Sequence, residues 1–316
     1  MAMSRARKTV LIVSSIVVGL MLVVLIGLAL IIAAVRSDEP RVQHNSALAL
    51  RVAGSLPDYV APDPLRKFFG GTDQSLTDLV LQFKKAKVDD RIKVIILDIN
   101  MSGAGWGKAE EIRDAVTDFR ASGKPVYAYM EFGMNKEYYI ASACNQIYMA
   151  PPGELFITGL AADVMFFRGS LDKLGIYPDI YQIGKYKSAG DMFTQKQMTD
   201  AHREFINSYI DDMFARYVDA IAKARGKSFE EAKAWIDDAP FGAEKARQVG
   251  LIDASAYRDQ LDKELKSKFG YKENENLRVV RGELLGARSH LVDIHARRSP
   301  IAEQHLAVGA HDVQRA

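Results

Sequence analysis

The chain has 316 residues, 48% of them hydrophobic and 26% charged, which is enough apolar material for a core in one or two domains and too much for a disordered polypeptide. A formal net charge of +2 provides neither a basic face for nucleic acid nor an acidic tail. The single cysteine, Cys144, excludes an internal disulfide framework and any paired-cysteine zinc site, and reads as a small buried hydrophobe.

At the amino terminus, Arg5, Arg7 and Lys8 precede an uncharged, Val/Ile/Leu/Ala-dominated run from Thr9 to Val35, which Arg36, Asp38 and Glu39 end. As a helix this run is about 40 Å long, against roughly 30 Å of bilayer hydrocarbon. It is too long for the apolar region of a cleaved signal peptide and has no clear small-x-small site, so it reads as an uncleaved signal anchor. Residues 1–8 are then cytoplasmic and 9–35 cross the membrane once. The positive-inside rule places the rest outside the cytoplasm, on the periplasmic side of the inner membrane if the source is a bacterium. Residues 36–63 read as a polar, proline-containing tether that encloses a short strand candidate, "ALALRVAG".

The next elements alternate. "SLTDLVLQFKKAKVD" carries Leu76, Leu79, Val80 and Phe83 on one helical face with Ser75 as N-cap. "KVIILDI" is a continuous apolar run, the mark of a strand covered on both faces. The turn "MSGAGWGK" opens a helix over about 108–122; its glycines suit a tight turn better than an anion-binding loop. "GKPVYAYM" reads as a strand, "NKEYYIASAC" as a short helix, and "QIYMA" as a strand ended by Pro151 and Pro152. "VMFFRGSLDKLG" and "YPDIYQIG" read as another helix and strand. This order predicts an α/β domain with a largely parallel sheet.

The remainder is helical. Asp200–Arg225 predicts a long amphipathic helix with Phe205, Ile206, Tyr209, Met213 and Phe214 on its apolar face. Ser228 and Glu231 form a capping box, Gly250 stops a short helix in "FGAEKARQVGLIDA" that leads into a short strand, and Gly270 ends a polar one.

There is no P-loop, no dinucleotide fingerprint and no zinc-protease motif. His44 and His202 stand alone, on a linker and a polar helix face, and read as surface residues. The remaining chemical candidate is "GKYKSAGDMF", Gly184 to Phe193. A lysine acts as a general base only where burial or neighbouring dipoles disfavour its ammonium form. Lys187 is flanked by Tyr186, Ser188, Ala189 and Gly190 and has no carboxylate before Asp191; Lys185 is the alternative, and the stretch alone does not choose between them.

The ordered segments "VIILDIN", "SGKPVYAY", "YYIASACNQIYMAP", "LDKLGI", "IGKYKSAGDMF" and "AEKARQVGLID", behind a signal anchor, resemble the amino-terminal half of the long form of the signal peptide peptidase A, or protease IV, family. That resemblance implies a ClpP/crotonase-like α/β fold of repeated β-β-α units over 64–280, with a helical C-terminal part. It implies a membrane-bound serine endopeptidase with a Ser/Lys dyad that degrades cleaved signal peptides or other membrane-associated peptides. Lys187 matches the family's lysine base. Asn135 occupies the place of the family's nucleophile, so the nucleophile is not identified; Ser142 and Ser188 are nearby but match no motif. The chain then carries the lysine half, inactive alone, and its partners are a serine-bearing half or copies of itself, tetrameric by resemblance. No nucleic acid, cofactor or metal is implied. A noncatalytic membrane-tethered scaffold, partner to a separately encoded serine half, is the alternative. A crotonase-like acyl-CoA enzyme is disfavoured by the extracytoplasmic placement.

The composition changes at the end. From Leu284 onward there is no Lys, Phe, Tyr or Trp, and His290, His295, His305 and His311 crowd in. Residues 281–316 are therefore an atypical tail, read as a genuine disordered or helical segment, as a metal-binding His cluster or as out-of-frame translation. The spacing of His295, His305 and His311 gives no i, i+4 metal pair, and the shifted frame is the favoured reading.

Overall fold

The computed structural model describes residues 14–28, 42–61 and 74–282. Residues 14–28 form a helix whose large apolar side chains, from Ile16 to Leu28, are exposed. Among the described residues no helix is long and apolar enough to cross a membrane. The span expected over 9–35 extends beyond the described residues at both ends, and the expected tail lies outside them apart from Arg281 and Gly282.

Val42–Gly282 is one compact unit. Four strands, β1 (Ser46–Gly54), β2 (Ile92–Ser102), β3 (Val126–Met134) and β4 (Gln146–Phe156), run parallel and are joined by three helices, α1 (Leu76–Val88), α2 (Trp106–Arg120) and α3 (Asn135–Ala141). Later in the chain come α4 (Arg168–Lys173), α5 (Asp191–Thr194), α6 (Asp200–Arg225), α7 (Phe229–Asp237), β5 (Phe241–Gly242), α8 (Ala243–Val249), β6 (Ala254–Ser255), α9 (Arg258–Lys268) and β7 (Val279–Arg281). The sheet order is β5-β4-β3-β2-β1-β7, with β6 also paired to β4; only β5 is antiparallel. The segment counted with the tether in sequence is thus an interior strand, β1, with Leu48 between Ile95 of β2 and Val280 of β7.

The continuous apolar run of β2 follows from cover on both faces. On one face Val94 and Ile96 join Tyr127, Tyr129 and Tyr148 under Leu261 and Leu265 of α9. Helices α1 and α2 pack together through Phe83 and Phe119, whose ring centroids lie 6.2 Å apart edge to face. Ser75 is the predicted N-cap of α1, where Asp78 completes a capping box, and Ser228 and Glu231 form the predicted capping box of α7. Gly250 closes α8 at φ 89°.

Strand β4 does not stop at its prolines. Between Met130 and Phe132 the β3–β4 register shifts, so that Met130 pairs with Met149 and Phe132 with Glu154. Pro151 and Pro152 fall in the resulting bulge, where no ladder donor is required of them. The bulge needs Gly153, because a Cβ there would lie 2.6 Å from the Glu131 carbonyl oxygen and 2.8 Å from that of Ala150.

Two further expectations fail. "YPDIYQIG" forms no strand: no neighbouring strand pairs with it, and Tyr181 and Ile183 are 88% and 74% exposed. Helix α6 has the predicted bounds, but Phe205 and Tyr209 on its predicted apolar face are exposed, and its buried residues are His202, Tyr217, Val218, Ile221 and Ala222. The carboxy-terminal half of α6 packs on the domain, while among the described residues Phe205 and Tyr209 of its first half are left 49% and 58% exposed.

Candidate active site

The glycine-rich turn closes on itself. The Gly103 amide donates to the Gly54 carbonyl (2.8 Å), the Ala104 amide to Ser102 Oγ (3.1 Å) and the Ser102 amide to Glu137 Oε1 (2.8 Å). These three bonds make the turn a tight junction from β2 to α2. The buried Glu137 carboxylate also accepts from the Met134 amide (3.3 Å), tying the end of β3 to that turn.

Asn135 begins α3 at the carboxyl end of β3. Its Oδ1 accepts from the Thr158 amide (2.7 Å) and the Tyr217 hydroxyl (3.4 Å), fastening α3 to the segment after β4 and to α6. Trp106 packs edge to face on Tyr139 and on Tyr217, each at 5.6 Å between centroids. Burial pushes the Tyr217 hydroxyl well above its usual range, so it stays a neutral donor. The amide at the motif position is therefore a structural fastener. Ser142 is equally engaged: its buried hydroxyl donates to the Tyr139 carbonyl (2.8 Å) and accepts from Arg113 (2.6 Å). Burial pushes the Cys144 thiol up to about 12, which keeps it an inert apolar filler.

The two lysines in "GKYKSAGDMF" differ. Gly184, at φ 109°, starts a turn in which the Lys187 amide donates to the Gly184 carbonyl (3.1 Å). Lys185 Nζ donates to the Tyr186 hydroxyl and to Glu204 Oε2 of α6, both at 3.0 Å. The tyrosine contact first, and Glu204 second, raise its pKa. Lys185 is thus held as an ammonium ion. Lys187 is exposed, and among the described residues its ammonium group makes no hydrogen bond or ion pair. The burial expected around a lysine base is not supplied by the described residues. Ser188 is half-buried, and its carbonyl accepts from the Asp191 amide (3.0 Å).

Helix α6 touches both the lysine loop and Asn135, but at separate points. Glu204 and Tyr217 lie roughly 20 Å apart along its axis at about 1.5 Å per residue. Glu204 could not be found from sequence, since it lies 19 residues from Lys185 on another element. His202, predicted on the surface, is instead buried beside Asp191 and Phe166 at the start of α6. His44 is exposed as predicted.

Residues 118–272, which include Asn135, Lys185 and Lys187, match the model of peptidase family S49. It is 33% identical over 240 residues to the chloroplastic serine protease SPPA of Arabidopsis thaliana, a match that covers 76% of this chain and 35% of that protein. It is 31% identical over 260 residues to Protease 4 of Salmonella typhi, covering 79% and 40%. A third relative, Protease 4 of Haemophilus influenzae, is 30% identical over 205 residues, covering 62% and 33%. The chain thus spans about a third to two fifths of the length of these relatives. Among solved structures it is similar to a membrane-bound stomatin-specific protease at 15% identity and a TM-score of 0.43, covering 75% of this chain and 97% of that one, a distance at which the likeness carries no argument.

Proposed function

We propose that this chain is the lysine-bearing half of a membrane-anchored Ser/Lys endopeptidase of the signal peptide peptidase type, with Lys187 as general base and the serine supplied by a separate serine-bearing half. The observation that carries the reading is the contrast between the lysines: Glu204 and the Tyr186 hydroxyl hold Lys185 charged, whereas the Lys187 amine is uncommitted. The engaged Asn135 amide supports an external nucleophile, because it offers neither a hydroxyl nor a free lone pair for attack.

In the proposed reaction, a partner and substrate cover Lys187, and desolvation favours its neutral amine. The amine takes the serine proton as the serine oxygen attacks the peptide carbonyl. The ammonium so formed returns a proton to the leaving amine, and water releases the acyl group by the same base. No metal or cofactor enters. The fold is read as ClpP/crotonase-like, a reading supported by the parallel β1–β4 sheet with its alternating helices. The substrates are signal-peptide remnants or other membrane-associated peptides. The anchor reading over 9–35, with the domain outside the cytoplasm, is supported by the basic residues before the run and by a helix that exposes apolar side chains from Ile16 to Leu28.

A fluorophosphonate probe tests the assignment. This chain alone should remain unlabelled, and mixing it with a serine-bearing half should give labelling on that half only. Labelling of this chain alone overturns the split site. The engaged Asn135 also fits the second reading, a noncatalytic tethered scaffold. Full turnover by the mixed halves after Lys187→Ala would establish that reading instead.

A further inference from the structure

Asp191 closes the loop that carries Lys187. Its side chain is 5% exposed, yet no lysine or arginine pairs with it among the described residues. Oδ1 accepts from Gln182 Nε2 (3.2 Å), and Oδ2 accepts from Thr199 Oγ1 (3.4 Å). Nδ1 of His202 lies 3.8 Å from Oδ2 and, although buried, has no other partner. These groups come from the segment before the lysine loop, the N-cap of α6 and the first turn of α6. A carboxylate removed from water is costly unless such donors surround it.

A second observation concerns Gly190. A Cβ on Gly190 would lie 2.7 Å from Ile180 Cγ2 and 3.1 Å from Gln182 Oε1, so the side chains of 180 and 182 pack directly against the backbone at 190. Inside this closure the Lys187 amide binds the Gly184 carbonyl and the Asp191 amide binds the Ser188 carbonyl (3.0 Å). Residues 182–191 thus form a short loop pinned at its base by one buried carboxylate and fixed to α6. Lys187 stands at its exposed end.

We infer that Asp191 is a positioning residue for the peptidase reaction: held among Gln182, Thr199 and His202, its carboxylate fixes the loop that presents Lys187 to the serine. The inference rests on Lys187 being the base. Asp191 does not touch the reacting atoms; it acts by removing conformations from the loop, and a general base displaced by about 1 Å loses on the order of a hundredfold in rate.

Two readouts test it. In the full chain, Asp191→Ala should accelerate hydrogen exchange of the Lys187 and Asp191 amides by about tenfold or more, leaving the Leu97 and Ala128 amides of the central sheet unchanged. Asp191→Asn keeps the shape and the acceptor for Gln182, and should stay within about threefold of wild type. Gln182→Ala removes one anchor from an exposed position, so folding is not at stake, and should give an intermediate increase. In the mixed halves, Asp191→Ala should lower kcat about ten- to a hundredfold with KM within about twofold, and Asp191→Asn should restore most of it. A parallel loss in KM, or unchanged exchange at Lys187 in both Asp191→Ala and Gln182→Ala, overturns the inference. Loss of turnover in Lys187→Ala with wild-type kcat in Asp191→Ala overturns this inference alone. Full turnover in Lys187→Ala overturns the base assignment and this inference with it.

Discussion

Glu204, in the second turn of α6, holds the Lys185 ammonium at 3.0 Å, while Lys187, two residues further on, has no acceptor among the described residues. The pair is exposed, so its energetic weight is small and screened by salt. Its consequence is a division of labour, since an ammonium kept charged by a carboxylate and a phenol is a poor base. In the mixed halves, Lys187→Ala is expected to lower peptide turnover by about a hundredfold or more, and Lys185→Ala by less than about threefold. Turnover of a peptide substrate measures both; equal losses would contradict the division.

Asn135 gives a second expectation. Asn135→Ser restores a hydroxyl at the family's nucleophile position but removes the oxygen that accepts from the Thr158 amide and the Tyr217 hydroxyl. The variant should be less stable by about 1–2 kcal/mol, because Tyr217 is buried and loses its acceptor. It should also remain unlabelled by a fluorophosphonate, since Lys185, two residues before Lys187, is held at Glu204, roughly 20 Å along α6 from the Tyr217 that binds Asn135. Urea unfolding midpoints and probe labelling check the two halves of this expectation.

Gly153 tests the bulge in β4. Adding a methyl group there brings it within van der Waals overlap of two carbonyl oxygens and of Met149 Cγ at 2.7 Å. Gly153→Ala should destabilise the domain by about 1–3 kcal/mol, the range for overpacking a rigid site. Gly107 in α2 is the control: a Cβ there meets nothing within 4 Å, and Gly107→Ala should add about 0.5–1 kcal/mol through helix propensity. Thermal or urea unfolding of both variants reads the difference in sign.

These cases indicate which features local sequence encodes. β2 was legible because a strand covered on both faces must be apolar at every position, and α1 and α7 because their capping boxes are complete within four residues. The continuation of β4 past Pro151 and Pro152 was not, since it depends on a register shift against β3 that only the pairing reveals. His202 read as a surface residue because its burial comes from Asp191 and Phe166, which are distant in sequence. The difference between Lys185 and Lys187 was likewise closed to local reading, because the Glu204 that binds Lys185 lies on another element. The exposed aromatic face of α6 and the unpaired segment 178–183 read as core because apolar pattern records burial without saying which chain supplies the cover.

Alkaline pH supplies a further test. Burial first, and then the hydrogen bond to Glu110, push the Tyr139 hydroxyl up to about 12; burial and Glu264 push Tyr148 up as well. Each tyrosine is neutral when protonated and titrates near 10 in the unfolded chain. Their contribution is therefore fully present below about pH 10 and is lost as pH rises toward the folded values, because only the unfolded state releases these protons in that window. Stability should fall between about pH 10 and 12, and Tyr139→Phe should flatten the fall by on the order of 1–3 kcal/mol. Urea unfolding across that range measures it; an unchanged slope in Tyr139→Phe would show that Tyr139 ionises as freely in the folded state as in the unfolded one.

The last expectation concerns the cover that the lysine loop lacks. Tyr177, Tyr181 and Ile183 lie just before that loop and are exposed, and Phe205 and Tyr209 are exposed along the first half of α6, the helix that holds Lys185. Clustered exposed aromatics of this kind mark docking surfaces, where a few buried anchors carry most of the affinity. On the proposed reading the serine-bearing half seats here, and the same contact that buries the aromatics dries Lys187. Tyr181→Ser combined with Tyr209→Ser should weaken association of the two halves by about tenfold or more, and should reduce self-association of the isolated chain. The variant should keep the unfolding midpoint of the parent, because both side chains are exposed in this chain. Sedimentation of the separate and mixed chains measures the effect. Association at wild-type strength in the double variant would place the serine half elsewhere on the domain, and the desolvation of Lys187 would then need another source.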